Sequence, residues 1–99
     1  MHEIEFSEVV LRDLSALRAF DRKRVLDGIE EQLSREPSKE SRHRKILRGL
    51  LPSFEAILPI WQLALGEYRV FYDVNEEGRK VYVRAVRRKP PHKTTEEIL

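Results

Sequence analysis

The chain contains no cysteine, which excludes disulfides, thiol catalysis and thiolate metal sites and fits a reducing compartment. No apolar run approaches the roughly 18 residues that a membrane span requires. The opening stretch MHEIEFSEVV lacks the basic head and small-residue cleavage site of a secretory signal. A cytoplasmic protein without a membrane partner is therefore expected. Also missing are a Gly-rich phosphate loop, a nucleophile elbow and any Ser/His/Asp spacing. His2 and His43 have no partner at ligand spacing, so neither a metal site nor another cofactor is predicted. Acidic residues are absent from one long stretch: between Arg79 and Lys93 there are seven Lys or Arg and no Asp or Glu.

What is present describes one domain, residues 1–99. A chain of this size buries about 60 to 70 % of its unfolded surface, enough for a single core of two layers. The net charge is only +2, so its distribution says more than its total. A second basic cluster, RHRK followed by Arg48, precedes the C-terminal half. Clustering of this kind suits a polyanion or an acidic protein surface, and a solvated face is the plainer alternative.

The apolar periods set out an α+β fold. Ile4 and Phe6 alternate with Glu3 and Glu5 in a short N-terminal strand. Ser7 is placed to cap a helix carrying Val10, Leu14 and Leu17, and Asp21 to cap a second with Val25, Ile29 and Leu33. The two form an antiparallel hairpin that ends before Pro37, with Gly28 read as a close approach between them. Residues 38–53 read as a polar, basic connection. A three-stranded antiparallel meander follows, its first turn at Gly66-Glu67. That turn sets Leu65, Leu63 and Trp61 opposite Tyr68, Val70 and Tyr72, all on one face. Beyond the next turn, NEEGR, Val74, Tyr72 and Val70 are expected to meet Val81, Val83 and Ala85. Pro90-Pro91 then breaks the strand, and Thr94 or Thr95 caps a short C-terminal helical segment.

In this register the face away from the helices is open and carries Arg69, Phe71, Tyr82, Arg84 and Arg88, with Arg69 opposite Val86. Converging guanidiniums repel one another unless an anion or carboxylate intervenes. Arg69, Arg84, Arg88 and Lys89 thus form a candidate phosphate site, since Arg matches phosphate with paired charge-assisted hydrogen bonds. Phe71 and Tyr82 are candidates for stacking RNA bases, and Arg48 for a backbone contact. A salt-bridged polar face offset by Asp73 and Glu55 is the competing reading. His92, just past the prolines, has the side chain best suited to proton transfer near neutral pH, or is a bystander in the tail.

The tripeptide Leu47-Arg48-Gly49, the stretch from Trp61 to Val74 and the terminal RRKPPHKTTEEIL together resemble the RelE/ParE superfamily of toxins from type II toxin–antitoxin systems. The resemblance spans essentially the whole chain and is most specific from Gly66 to Val74. It implies a toxin held inactive by a cognate antitoxin, with operator DNA met only through that antitoxin. RelE-like members are metal-independent endoribonucleases that cut messenger RNA on the ribosome, and ParE-like members inhibit DNA gyrase. In the first case Arg69, Arg88 and His92 are the expected catalytic residues, with Arg84, Lys89, Phe71, Tyr82 and Arg48 binding RNA. Where RelE-like ribonucleases often carry Lys or Arg, this chain has Ile60, Gln62 and Ala64. That departure leaves open a gyrase inhibitor, or a degenerate toxin that only binds its antitoxin.

Overall fold

The computed structural model describes residues 1–99. The elements run β1 (Glu3–Phe6), α1 (Glu8–Ser15), α2 (Ala19–Leu33), β2 (Arg44–Leu47), β3 (Ile60–Leu65), β4 (Tyr68–Asn75), β5 (Lys80–Arg88) and α3 (Thr95–Ile98). The strands make one sheet in the order β1-β5-β4-β3-β2. β1 lies parallel to β5, and the other pairings are antiparallel. No helix is long and apolar enough to cross a membrane.

The main core lies between the sheet and the first two helices. Val10 and Leu14 from α1 and Val25, Ile29 and Leu33 from α2 pack against Leu63, Val70, Tyr72, Val81 and Val83. Ser7 caps α1 as expected, accepting from Val10 N–H, and its own hydroxyl donates to Arg84 O on β5. Asp21 does not cap α2: the helix begins two residues earlier, with Arg18 at the N-cap and no side-chain bond there. Asp21 instead lies close enough to the Tyr68 phenol that burial, and then this carboxylate, push the phenol's pKa up. Gly28 also serves a different contact. A Cβ there would lie 2.8 Å from the Leu65 methyl carbons, so the close approach is between α2 and β3 rather than between helices. Pro37 is buried beyond the helix end, and its carbonyl accepts from Tyr72 Oη at 2.7 Å.

The β3–β4 register is the expected one, and Gly66 turns with φ of 59°. The β4–β5 register departs from expectation halfway. Val74 meets Val81 and Tyr72 meets Val83, but Phe71 then meets Ala85. Arg84 is therefore an extra residue, a β-bulge that turns every later side chain of β5 to the opposite face. Val86 packs in the main core, and Arg69 faces Arg87 rather than Val86. The bulge serves packing, because it lets Val86 join the main core while Ala85 lies opposite Phe71.

Two further differences concern coverage. The stretch read as a connection contains a fifth strand, β2, paired antiparallel to β3. The second face of the sheet is also not open throughout. Phe54, Ala56 and Leu50 from the β2–β3 loop and Ile98 and Leu99 from the C-terminus cover Phe71, Ile60, Leu47 and Ala85. Thr94 closes a capping box with Glu97. Thr95 Oγ1 bonds Gln62 Oε1 at 2.9 Å, fastening α3 to the centre of this face.

Candidate functional site

With its centre covered, the second face keeps one accessible end, where the strands meet the β3–β4 turn. Ala64, Arg69 and Arg87 stand in one cross-strand row, Ala64 opposite Arg69 and Arg69 opposite Arg87. Directly opposed side chains have Cβ atoms about 4.5–5.5 Å apart, and two like charges so placed destabilise the pair. Arg87 is half-offset: its Nη1 lies 3.5 Å from Asp13 Oδ1, and its guanidinium sits 5.8 Å from the Phe54 ring centroid. Arg69 is folded back over the turn, its Nη1 donating to Gly66 O at 2.7 Å and Tyr68 O at 2.8 Å. The ion pairs of these strands engage Arg84, Arg87 and Arg88, not Arg69. Uncancelled positive charge at this end can therefore accept an anion.

The residues expected to join Arg69 are dispersed by the bulge. Arg88 falls opposite Tyr68, on the helix side of the sheet, where its Nε bonds Glu67 at 3.2 Å. There it lines a cleft with Leu17, Arg18, Asp21, Glu67 and Tyr68. Arg69 and Arg88 thus occupy opposite faces and cannot share one phosphate. Arg84 does lie on the second face, but Asp73 engages it through contacts of 2.7 and 3.2 Å. The same carboxylate accepts from Ile57 N–H, so the trio ties the bulge to the β2–β3 loop. Its role is structural, and the guanidinium is not free for RNA.

Phe71 is wholly buried and packs against Phe54 with centroids 5.9 Å apart, so no base can stack on it. The Tyr82 ring is half-buried beneath Arg84, 5.0 Å from the guanidinium carbon. Arg48 is exposed just beyond Leu47, which pairs with Ile60, four residues along β3 from Ala64. It stands beside Leu50, Leu51, Leu58 and Pro59 at the other end of the face. Lys89 is pinned by its N–H to Glu67 O at 2.6 Å. From there the chain crosses to Thr95 above Gln62, so exposed His92 belongs to the segment passing the Arg69 end.

Two further cations, Arg87 and Lys45, were not placed on the second face from sequence. Arg87 was hidden by the bulge, and the clue was the adjacent pair Ala85-Val86, either of which can face Val70. Lys45 was hidden with β2; it pairs with Gln62 and shares the second face with it. The sequence RKIL carries no apolar alternation that would have revealed it.

The chain matches the family model described as ParE toxin of type II toxin-antitoxin system, parDE, over residues 4–89. Among solved structures it is similar to the toxin–antitoxin complex RelBE2 from Mycobacterium tuberculosis, with 25% identity and a TM-score of 0.70, covering 89% of this chain and 98% of that one. The archaeal RelE–RelB complex from Pyrococcus horikoshii OT3 matches with 20% identity and a TM-score of 0.69, covering 91% and 97%. The isolated E. coli RelE toxin matches with 24% identity and a TM-score of 0.63, covering 98% and 94%. No curated protein sequence matches the chain significantly.

Proposed function

Since this chain belongs to the ParE toxin family of type II toxin–antitoxin systems, within the RelE/ParE superfamily, we propose that it is an endoribonuclease that cuts messenger RNA on the ribosome without a metal. One observation carries this reading: Arg69 and Arg87 oppose each other at the accessible end of the second face. Paired guanidiniums match the non-bridging oxygens of a phosphodiester and stabilise the charge that builds on them as the 2'-hydroxyl attacks. Arg69 keeps the phosphate role expected of it, and Arg87 takes the one expected of Arg88. Lys89 and Lys45 flank the pair and hold neighbouring phosphates. His92, on the segment crossing this end, exchanges a proton with the reacting oxygens. Arg48 and Tyr82, both at the other end of the face, contact RNA only beyond the cleaved linkage.

The partner is a cognate antitoxin, as the toxin–antitoxin complexes among the similar structures suggest. A second reading, inhibition of DNA gyrase, is favoured by the neutral Gln62 and Ala64 on β3 and by the ParE description of the matching family model. Controlled expression separates the two. Messages cut at ribosome-occupied codons support the ribonuclease. Double-strand DNA breaks with intact messages support the gyrase inhibitor, and unimpaired growth supports a chain that only binds its antitoxin.

A further inference from the structure

We propose that His43 is the second proton-transfer residue of this site, accepting the 2'-hydroxyl proton while His92 supplies one to the departing 5' oxygen. The inference rests on the ribonuclease reading above, which otherwise has one histidine for two proton transfers. It comes from β2. Arg44 faces the helices: its Nη1 donates to Gln32 O at 3.0 Å and Gln32 Oε1 at 2.8 Å on α2. Lys45 pairs with Gln62 and so lies on the second face, and His43 precedes it by two residues, just ahead of β2.

The ladder continues past Arg44. Ala64 N–H donates to His43 O at 2.8 Å, which sets His43 beside Ala64 in the row that runs on to Arg69 and Arg87. With strands about 4.8 Å apart, the backbones of His43 and Arg69 are separated by about 10 Å. Ala64, with its single methyl, is the one residue between them in the row. The backbone at His43 is held, because its N–H and that of Arg44 both donate to Ser41 Oγ at 3.2 Å. The side chain itself is exposed.

The two histidines have different surroundings. His43 has Arg42, Arg44 and Lys45 as chain neighbours, Gln62 and Ala64 beside it on β3, and Arg69 and Arg87 along the row, with Arg87 paired to Asp13. His92 stands near Glu97, whose own pKa is lowered first by its bonds to Thr94 and last by His92. In the step itself the 2' oxygen bonds to phosphorus and the bond from phosphorus to the 5' oxygen breaks. The 2' proton passes to His43, and a proton from His92 goes to the leaving oxygen. The products are a 2',3'-cyclic phosphate and a 5'-hydroxyl end, with no other reactant required.

The test uses purified toxin on ribosomes programmed with a short message, under single-turnover conditions. His43→Gln, which keeps the side chain's polarity, is expected to lower the cleavage rate by about 100-fold or more, with ribosome binding unchanged and the limb of the pH–rate profile due to the base lost. A message whose 5' leaving oxygen is replaced by sulfur needs no acid, and it is expected to rescue His92→Gln but not His43→Gln. Cleavage by folded His43→Gln within about threefold of wild type, or a loss confined to ribosome binding, overturns the inference alone. Rescue of His43→Gln by the sulfur message overturns its assignment as the base. Wild-type toxin that binds ribosomes yet leaves the message intact overturns the ribonuclease reading, and the role of His43 with it.

Discussion

Replacing Arg84 with Met removes the partner of a carboxylate that is 2 % exposed. In the variant Asp73 keeps only the Ile57 N–H, where the wild type adds two contacts from Arg84, the shorter at 2.7 Å. Breaking a buried ion pair from one side costs about 3–5 kcal/mol, because the remaining charge stays buried and uncompensated. The Arg84 side chain retains 16% exposure, so water can reach part of the gap and the lower end of that range applies. With a urea slope of about 1.5 kcal/mol/M, a 3 kcal/mol loss moves the unfolding midpoint down by about 2 M. The double variant Arg84→Met/Asp73→Asn no longer buries a bare charge and is expected to recover about 2 kcal/mol of the loss. Urea titrations followed by circular dichroism measure both. If Arg84→Met unfolds within about 0.5 kcal/mol of wild type yet loses all cleavage, Arg84 serves RNA and the structural role given to it here is refuted.

Other expectations follow from the same contacts. Phe71→Ala empties the covered half of the second face and is expected to cost about 3–5 kcal/mol in thermal or urea unfolding, whereas an RNA-stacking residue would leave stability untouched. Tyr72→Phe leaves the Pro37 carbonyl without its 2.7 Å donor and is expected to cost about 1–3 kcal/mol in the same titrations. Glu76 is held below the ordinary carboxylate range, first by the Ser38 hydroxyl and then by His2. Its contribution is therefore present above the unfolded-state pKa near 4.5 and is lost as pH falls through the lower folded-state value. Glu76→Gln should accordingly flatten the acid side of the stability–pH curve, a small effect because the group is exposed.

The sequence made some of this architecture legible and concealed the rest for identifiable reasons. The β3–β4 hairpin could be read because both strands alternate cleanly and Gly66 fixes the turn between them, so one register alone puts Trp61, Leu63, Tyr72 and Val70 on a common face. No comparable constraint fixed β5. Ala85 and Val86 are adjacent and both apolar, and the choice between them was made by the core, with Ser7 anchoring the bulge through the Arg84 carbonyl. Local propensity carries no trace of that contact. β2 is four residues long and follows a polar run, and its strand character comes from pairing with β3 rather than from its own composition. The capping box of α3 was visible in Thr94 and Glu97, but its docking over Gln62 and Phe71 was not. Charged residues were thus easy to find and hard to aim: Arg69 keeps the face expected of it, while Arg87 and Arg88 exchanged faces through one inserted residue.

That exchange gives the most direct test of the central claim, that phosphate is held between β4 and β5 by Arg69 and Arg87. Cleavage of ribosome-bound message should be compared for Arg69→Ala, Arg87→Ala and Arg88→Ala, each first shown to be folded. The account predicts losses of about 100-fold or more for the first two and near-wild-type cleavage for Arg88→Ala. Full activity in Arg87→Ala together with an inactive Arg88→Ala would contradict it.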